Sequence, residues 1–203
     1  MRAWIYNHAF APLTVRWYRS VLEQLQPSTR MLDIGIGTAL SLVANADLVR
    51  TKGIHVHGVD IDPDYVKQAR KAVDKANLSQ SVDVYLESIY DHHGGPYDAA
   101  YFAASFMLMS DPPRALRHVS NLLKPGGRIY FTQTFQETRS PLMEKLKPFL
   151  VHLTTIDFGH VTYEADFLNV VENGGLCVVE NAILRKRGTQ TFRLVVAEPR
   201  AAA

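Results

Sequence analysis

The sequence predicts an α/β domain built on a mostly parallel sheet that ends in an antiparallel hairpin. Three observations carry this. Short apolar runs alternate with amphipathic stretches along the first three quarters of the chain, the mark of a parallel sheet with crossover helices. The first apolar run opens directly into a glycine-containing turn. The last two β-rich runs are separated only by Arg185 to Gln190, too short for a crossover helix, and must pair antiparallel.

The elements follow in order. Thr14 to Leu25 is amphipathic and stops before Pro27, and Arg30 to Ile34 reads as the first strand. A helix is expected from Thr38 to Arg50, and a second strand from His55 to Val59, ending on Asp60. Asp62 is placed as an N-cap with Pro63 at the first helical position; Val66, Ala69, Val73 and Ala76 then share one buried face. Strands are expected at Val82 to Leu86 and Asp98 to Ala104. Asp111-Pro112 repeats the cap-and-proline start for a helix carrying Leu116, Val119 and Leu123. Leu123 to Gly127 reads as a turn before a fifth strand, Arg128 to Thr134. Helical stretches are expected at Pro141 to Leu153 and at Glu164 to Glu172, the latter ending at Gly174-Gly175; strands Cys177 to Leu184 and Thr191 to Ala197 close the domain.

At 203 residues and 47% hydrophobic content the chain fits one domain with a core on both sheet faces, and residues 1–203 are read as a single unit with 1–28 as an N-terminal helical lid. The net charge of +2, with no run of like charges, gives no basic groove and argues against a nucleic-acid partner. Arg2, His8, Arg16 and Arg19 interrupt the first 20 residues, so no signal-peptide core or membrane span is read there, and a cytoplasmic location is expected. Cys177 lies in the apolar run Leu176 to Val179 and is expected to be a buried strand thiol; Ala201 to Ala203 reads as a disordered end. His55, His57, His92, His93 and His118 show no metal-ligand spacing to Cys or carboxylates, and His92-His93 reads as loop.

The richest segment is Met31 to Leu40. Gly35 and Gly37 let backbone approach a ligand at the carboxyl end of a strand, where open α/β sheets bind. A dinucleotide turn would want a third glycine where Leu40 stands, which tilts the reading away from a nicotinamide cofactor. Asp60, 23 residues beyond Gly37, sits where a strand-end carboxylate accepts hydrogen bonds from both hydroxyls of a ribose; with Asp62 serving as the cap, this role is preferred to a mere strand-end carboxylate.

Leu32-Asp33-Ile34-Gly35-Ile36-Gly37-Thr38-Ala39, Gly58-Val59-Asp60-Ile61-Asp62-Pro63, Tyr97-Asp98-Ala99-Ala100-Tyr101 and the stretch Ala115 to Arg128 together resemble the class I S-adenosylmethionine-dependent methyltransferases over nearly the whole chain. The resemblance implies a Rossmann-like seven-stranded sheet of order 3-2-1-4-5-7-6 with helices on both faces, and S-adenosyl-L-methionine as cofactor. It implies that Asp33 positions the cofactor's amino-acid end, that Gly35, Ile36 and Gly37 leave it room, that Asp60 binds the ribose diol and that Ile61 packs on adenine. Ser88 stands where an Asp often contacts the adenine amino group, with Ile89 beside it. Ala103, Ala104 and Ser105 lie beside the methionine moiety.

The strand-four end, Ala103-Ala104-Ser105-Phe106, lacks the Asn/Asp-Pro-Pro-Tyr/Phe motif of DNA-base and related amide methyltransferases. The acceptor is therefore expected to be a small molecule or a lipid headgroup, methylated on N, O or S, with a peripheral membrane contact compatible with the latter. Aromatic segments, Trp4 to Phe10 with Trp17-Tyr18 and Phe149 to Tyr163, suit a lid over an apolar or cationic acceptor, while Trp4, Phe10 and Trp17 taken singly suit packing of a helix on the sheet better. His8 and His160 are candidate general bases, and Tyr6 a candidate for orienting the acceptor. Two alternatives stand beside this: a non-catalytic cofactor-binding or protein-interaction member of the fold, and a nicotinamide-dependent oxidoreductase, which would want the missing glycine and a Tyr-x-x-x-Lys pair that the second half lacks.

Overall fold

In the computed structural model, residues 2–137 and 162–200 are described, with side chains from residue 13. The expected helix at Pro141 to Leu153, the segment Phe149 to His160 and the terminal alanines lie outside these residues. A seven-stranded sheet has the order β3-β2-β1-β4-β5-β7-β6, with β1 Arg30–Ile34, β2 His55–Asp60, β3 Val82–Leu86, β4 Tyr97–Ala103, β5 Leu123–Gln136, β6 Leu176–Arg187 and β7 Gln190–Pro199. β1 to β5 pair parallel, and β7 runs antiparallel to both β5 and β6. Both the implied order and the terminal hairpin are therefore present.

The helices are α1 Arg2–Gln24, α2 Leu40–Val43, α3 Ala46–Lys52, α4 Pro63–Lys75, α5 Pro112–Leu122 and α6 Glu164–Asn173. Four of the five β1 residues are buried because helices cover both faces. One core takes Tyr18, Val21, Leu22 and Leu25 from α1 together with Met31, Val56, Val66 and Tyr101. The other gathers Leu32, Phe102, Phe131 and Phe167 between the sheet and α5 and α6. There Phe102 and Phe131 stack at 5.3 Å, and Phe167 meets Phe131 edge-on at 5.4 Å.

Both cap-and-proline starts hold: Asp62 accepts from the backbone N–H groups of Asp64 and Tyr65, and Asp111 from that of Arg114. Four expectations need correction. The single helix from Thr38 to Arg50 is two, because Asn45 leaves helical geometry and its amide donates to the carbonyls of Ser41 and, across the interface, Val15. The first helix begins at Arg2, not Thr14. Leu123 is already paired with Tyr97, so β5 starts before the glycines and accommodates them as an irregularity between the Tyr97 and Ala99 pairings. Cys177 is exposed, because β6 is the last strand of the sheet and Cys177 alternates away from buried Leu176.

Strands β1 and β4 are neighbours whose onward connections run to opposite sides, to β2 and β5, which makes the crevice beyond their carboxyl ends the switch point of the sheet. The glycine bend opens there.

Candidate active site

The bend is held by the sheet itself. Gly35 and Ile36 donate to the carbonyl of Val59 at 2.8 and 3.2 Å, so the turn is anchored to the tip of β2. Gly35 has φ +74°, and a Cβ there would stand 2.6 Å from Cβ of Ser105, whose hydroxyl in turn bonds the carbonyl of Ile34. Gly37, at φ +59°, is different: a Cβ would meet nothing within 4 Å. One glycine is demanded by packing, the other fronts open space.

Asp60 is half-buried at the end of β2, and its two oxygens each accept a backbone hydrogen bond at 2.9 Å, Oδ2 from Gly37 and Oδ1 from Asp62. A carboxylate has about four acceptor sites. Two remain in a fixed orientation for a vicinal diol. Ile61, next in sequence, is 75% exposed, and Leu86 at the tip of β3 is 53% exposed, leaving apolar surface beside that carboxylate.

Asp33 is fully buried on β1. Its Oδ2 accepts a 2.9 Å hydrogen bond from the Tyr18 hydroxyl of α1, whereas Oδ1 is buried with no partner. Burial pushes its carboxyl up to about 7; the Tyr18 hydrogen bond opposes this and the charge of Asp60 adds to it. An ionised, half-satisfied carboxylate without solvent is costly, and a cation brought to it relieves that cost. A cavity of about 90 Å³ lies at the bend, walled by Thr14 and Tyr18 of α1, by Gly35 to Ser41, and by Ala103 of β4.

The remaining expected residues are distributed around this core. Ser88 Oγ accepts from the backbone of Tyr90 at 3.3 Å, and Ile89 is buried in the second core. Ala104 is in the left-handed region at φ +57°, its N–H donating to Thr132 O. Tyr6 and His8 lie on the N-terminal part of α1, and His160 lies outside the described residues. Trp17 is buried and tilts against Phe192 of β7 at 6.1 Å, so it packs α1 onto the sheet.

Two features escaped the sequence. Tyr18 shares the i, i+3, i+4, i+7 stripe of Val21, Leu22 and Leu25, which announces burial, but nothing local says that its hydroxyl meets Asp33. His92, placed in a loop, is buried and bonded at both ring nitrogens, Nδ1 with Glu87 and Nε2 with the Tyr97 hydroxyl, each at 2.9 Å. Beside it His57 stacks on Tyr85 at 4.3 Å, and burial together with His92 holds its pKa below the usual value. Among the described residues no group of side chains is arranged to hold a metal ion, and no helix is long and apolar enough to cross a membrane.

Residues 32–131 match the family model for a methyltransferase domain. The chain is 30% identical over 129 residues to a ubiquinone biosynthesis O-methyltransferase of Xanthomonas axonopodis pv. citri (strain 306), covering 62% of this chain and 50% of that protein. It is 31% identical over 119 residues to the aklanonic acid methyltransferase DauC of Streptomyces sp. (strain C5), covering 56% of this chain and 53% of that one. It thus spans about half the length of the curated relatives it matches. Among solved structures, the [4+2]-cyclase SpnF has the same fold at TM-score 0.74 and 17% identity, covering 93% of this chain and 82% of that one.

Proposed function

From a chain that belongs, through its domain at 32–131, to the class I S-adenosylmethionine-dependent methyltransferases, we propose that it binds S-adenosyl-L-methionine across the glycine bend and methylates a small molecule, on oxygen in preference to nitrogen or sulfur. The observation that carries the binding is the pair of carboxylates flanking that bend: Asp60, docked on Gly37 with lone pairs to spare, and Asp33, buried with one oxygen unpartnered. The preference for oxygen rests on the names of the relatives.

In this reading Asp60 takes the ribose hydroxyls, Ile61 covers adenine, and Ser88 and Ile89 border the ring. Asp33 faces the amino-acid end, and Gly35, Ile36, Gly37 and Ala104 leave it room. Bound there, the cofactor would supply a methyl group on a sulfonium, for transfer to an acceptor with S-adenosylhomocysteine as the leaving group. The protein's share is alignment: holding a nucleophile on the methyl axis is worth effective molarities of ~10⁵ M or more. A hydroxyl acceptor must also lose its proton. His8 or His160 is proposed as the base and Tyr6 as the group that orients the acceptor. Residues 1–28 serve as the lid of a single domain, 1–203. A cytoplasmic location completes the proposal, and a lipid-headgroup acceptor would add contact with a membrane surface.

The test is calorimetric titration with S-adenosylhomocysteine. The wild-type protein should bind, and Asp60→Ala should lose about 1–3 kcal/mol by leaving the ribose hydroxyls unpaired; an unchanged affinity would overturn the role given to Asp60. A methyl-transfer screen over phenol, enol, amine, thiol and phospholipid acceptors then assigns the acceptor, and turnover of none would favour the non-catalytic alternative.

A further inference from the structure

We propose that Tyr18 is a positioning residue for the cofactor: carried in on α1, its hydroxyl pins one oxygen of Asp33 so that the other receives the α-ammonium of the cofactor's amino-acid tail. The proposal rests on the cofactor reading above and adds the group that makes Asp33 usable.

The arrangement is built rather than incidental. Tyr18 is 3% exposed and Asp33 is fully buried, and their 2.9 Å hydrogen bond joins groups 15 residues apart. The Tyr18 ring is fixed edge-on against Tyr101 of β4, centroids 5.0 Å apart and planes at 83°. α1 is itself tied down on both sides of it. Thr14 bonds Ser41 at 2.7 Å, the carbonyl of Val15 accepts from Asn45 at 2.9 Å, and the Lys52 ammonium donates to the carbonyls of Leu22, Glu23 and Leu25 at the helix's end. A phenylalanine would fill the same space. What the hydroxyl adds is one directed donor to a carboxylate whose second oxygen is buried and bare, and Tyr18 also lines the cavity at the glycine bend.

A buried acid held by a single neutral donor is poised rather than satisfied. Facing Asp33 are Tyr18 from α1, Asp60 from β2 and, behind Tyr18, Tyr101 from β4; the first lowers its proton affinity and Asp60 raises it. An arriving ammonium supplies the missing positive charge and a donor for Oδ1 at once. Removing the Tyr18 hydroxyl leaves the site intact in shape but lets Asp33 keep its proton to higher pH, where a neutral acid no longer attracts the cation.

Wild type, Tyr18→Phe and Asp33→Asn are titrated between pH 6 and 8.5 with two probes. S-adenosylhomocysteine carries the amino-acid tail; 5′-methylthioadenosine has the nucleoside and sulfur without it. Wild-type affinity for the first should climb about tenfold across this range, while affinity for the second stays flat. Tyr18→Phe should bind S-adenosylhomocysteine about fivefold more weakly at pH 7 and largely recover by pH 8.5, its midpoint moved up by about one unit, with methylthioadenosine unaffected. Asp33→Asn should flatten the profile, and if circular dichroism shows Tyr18→Phe unfolded, a pH dependence retained in Asp33→Asn overturns the proposal. Equal weakening of both probes at every pH, or a Tyr18→Phe profile superimposed on the wild type, overturns it while leaving the cofactor reading standing. Failure of the wild type to bind either probe overturns both.

Discussion

Asp33 should make the ligand-free protein less stable as pH rises, and Asp33→Asn should remove that weakness. In the unfolded chain this carboxyl ionises near 3.8, whereas in the folded protein burial holds its proton to about 7. The folded state thus prefers the neutral acid. The contribution is fully present below about pH 4 and is lost as pH climbs through 7. At 1.36 kcal/mol for each unit between the two pKa values, the loss amounts to on the order of 4 kcal/mol. Asparagine keeps an acceptor for the Tyr18 hydroxyl and never ionises, but places a polar amide N–H group where a buried carboxylate oxygen has no partner, which carries its own desolvation cost. The net gain at pH 8 is therefore smaller, about 1–3 kcal/mol. Urea unfolding at pH 5 and pH 8 measures this directly: the wild type should lose midpoint between the two while Asp33→Asn loses far less, with equal m-values. Parallel losses in the two proteins would refute the reasoning, since the pH dependence would then belong to other groups. Cofactor affinity should move the opposite way to stability, the pattern of a residue kept for its ligand.

Three further substitutions probe the frame around the site. Gly35→Ala should cost roughly 2–4 kcal/mol in chemical denaturation, because its Cβ meets Ser105 Cβ at 2.6 Å and its φ is +74°; adding Ser105→Gly should recover the steric share and leave the conformational one. His92→Phe should cost about 2 kcal/mol by stripping partners from Glu87 and the buried Tyr97 hydroxyl. If that variant melts with the wild type, the two hydrogen bonds contribute nothing net.

Much of this was legible along the chain. The helix starts at Asp62-Pro63 and Asp111-Pro112, the two glycines, the acidic end of β2 and the closing hairpin are all local, each decided by residues within a turn or a strand of one another. Backbone conformation and capping act over a few residues, so sequence alone carries them. Pairings between distant segments were settled otherwise. Asn45 breaks a continuous helical pattern because Val15 offers it a carbonyl 30 residues away, Leu123 extends because Tyr97 lies beside it, and Cys177 is exposed because the sheet order leaves β6 at the rim. Above all, the resemblance gives Asp33 a role toward the cofactor's amino-acid end but says nothing of its surroundings until α1 is laid over it. Its burial, its bare oxygen and its bond to Tyr18 arise only when helix and sheet exclude water from the same place, and desolvation is a property of the packed chain rather than of any stretch of it.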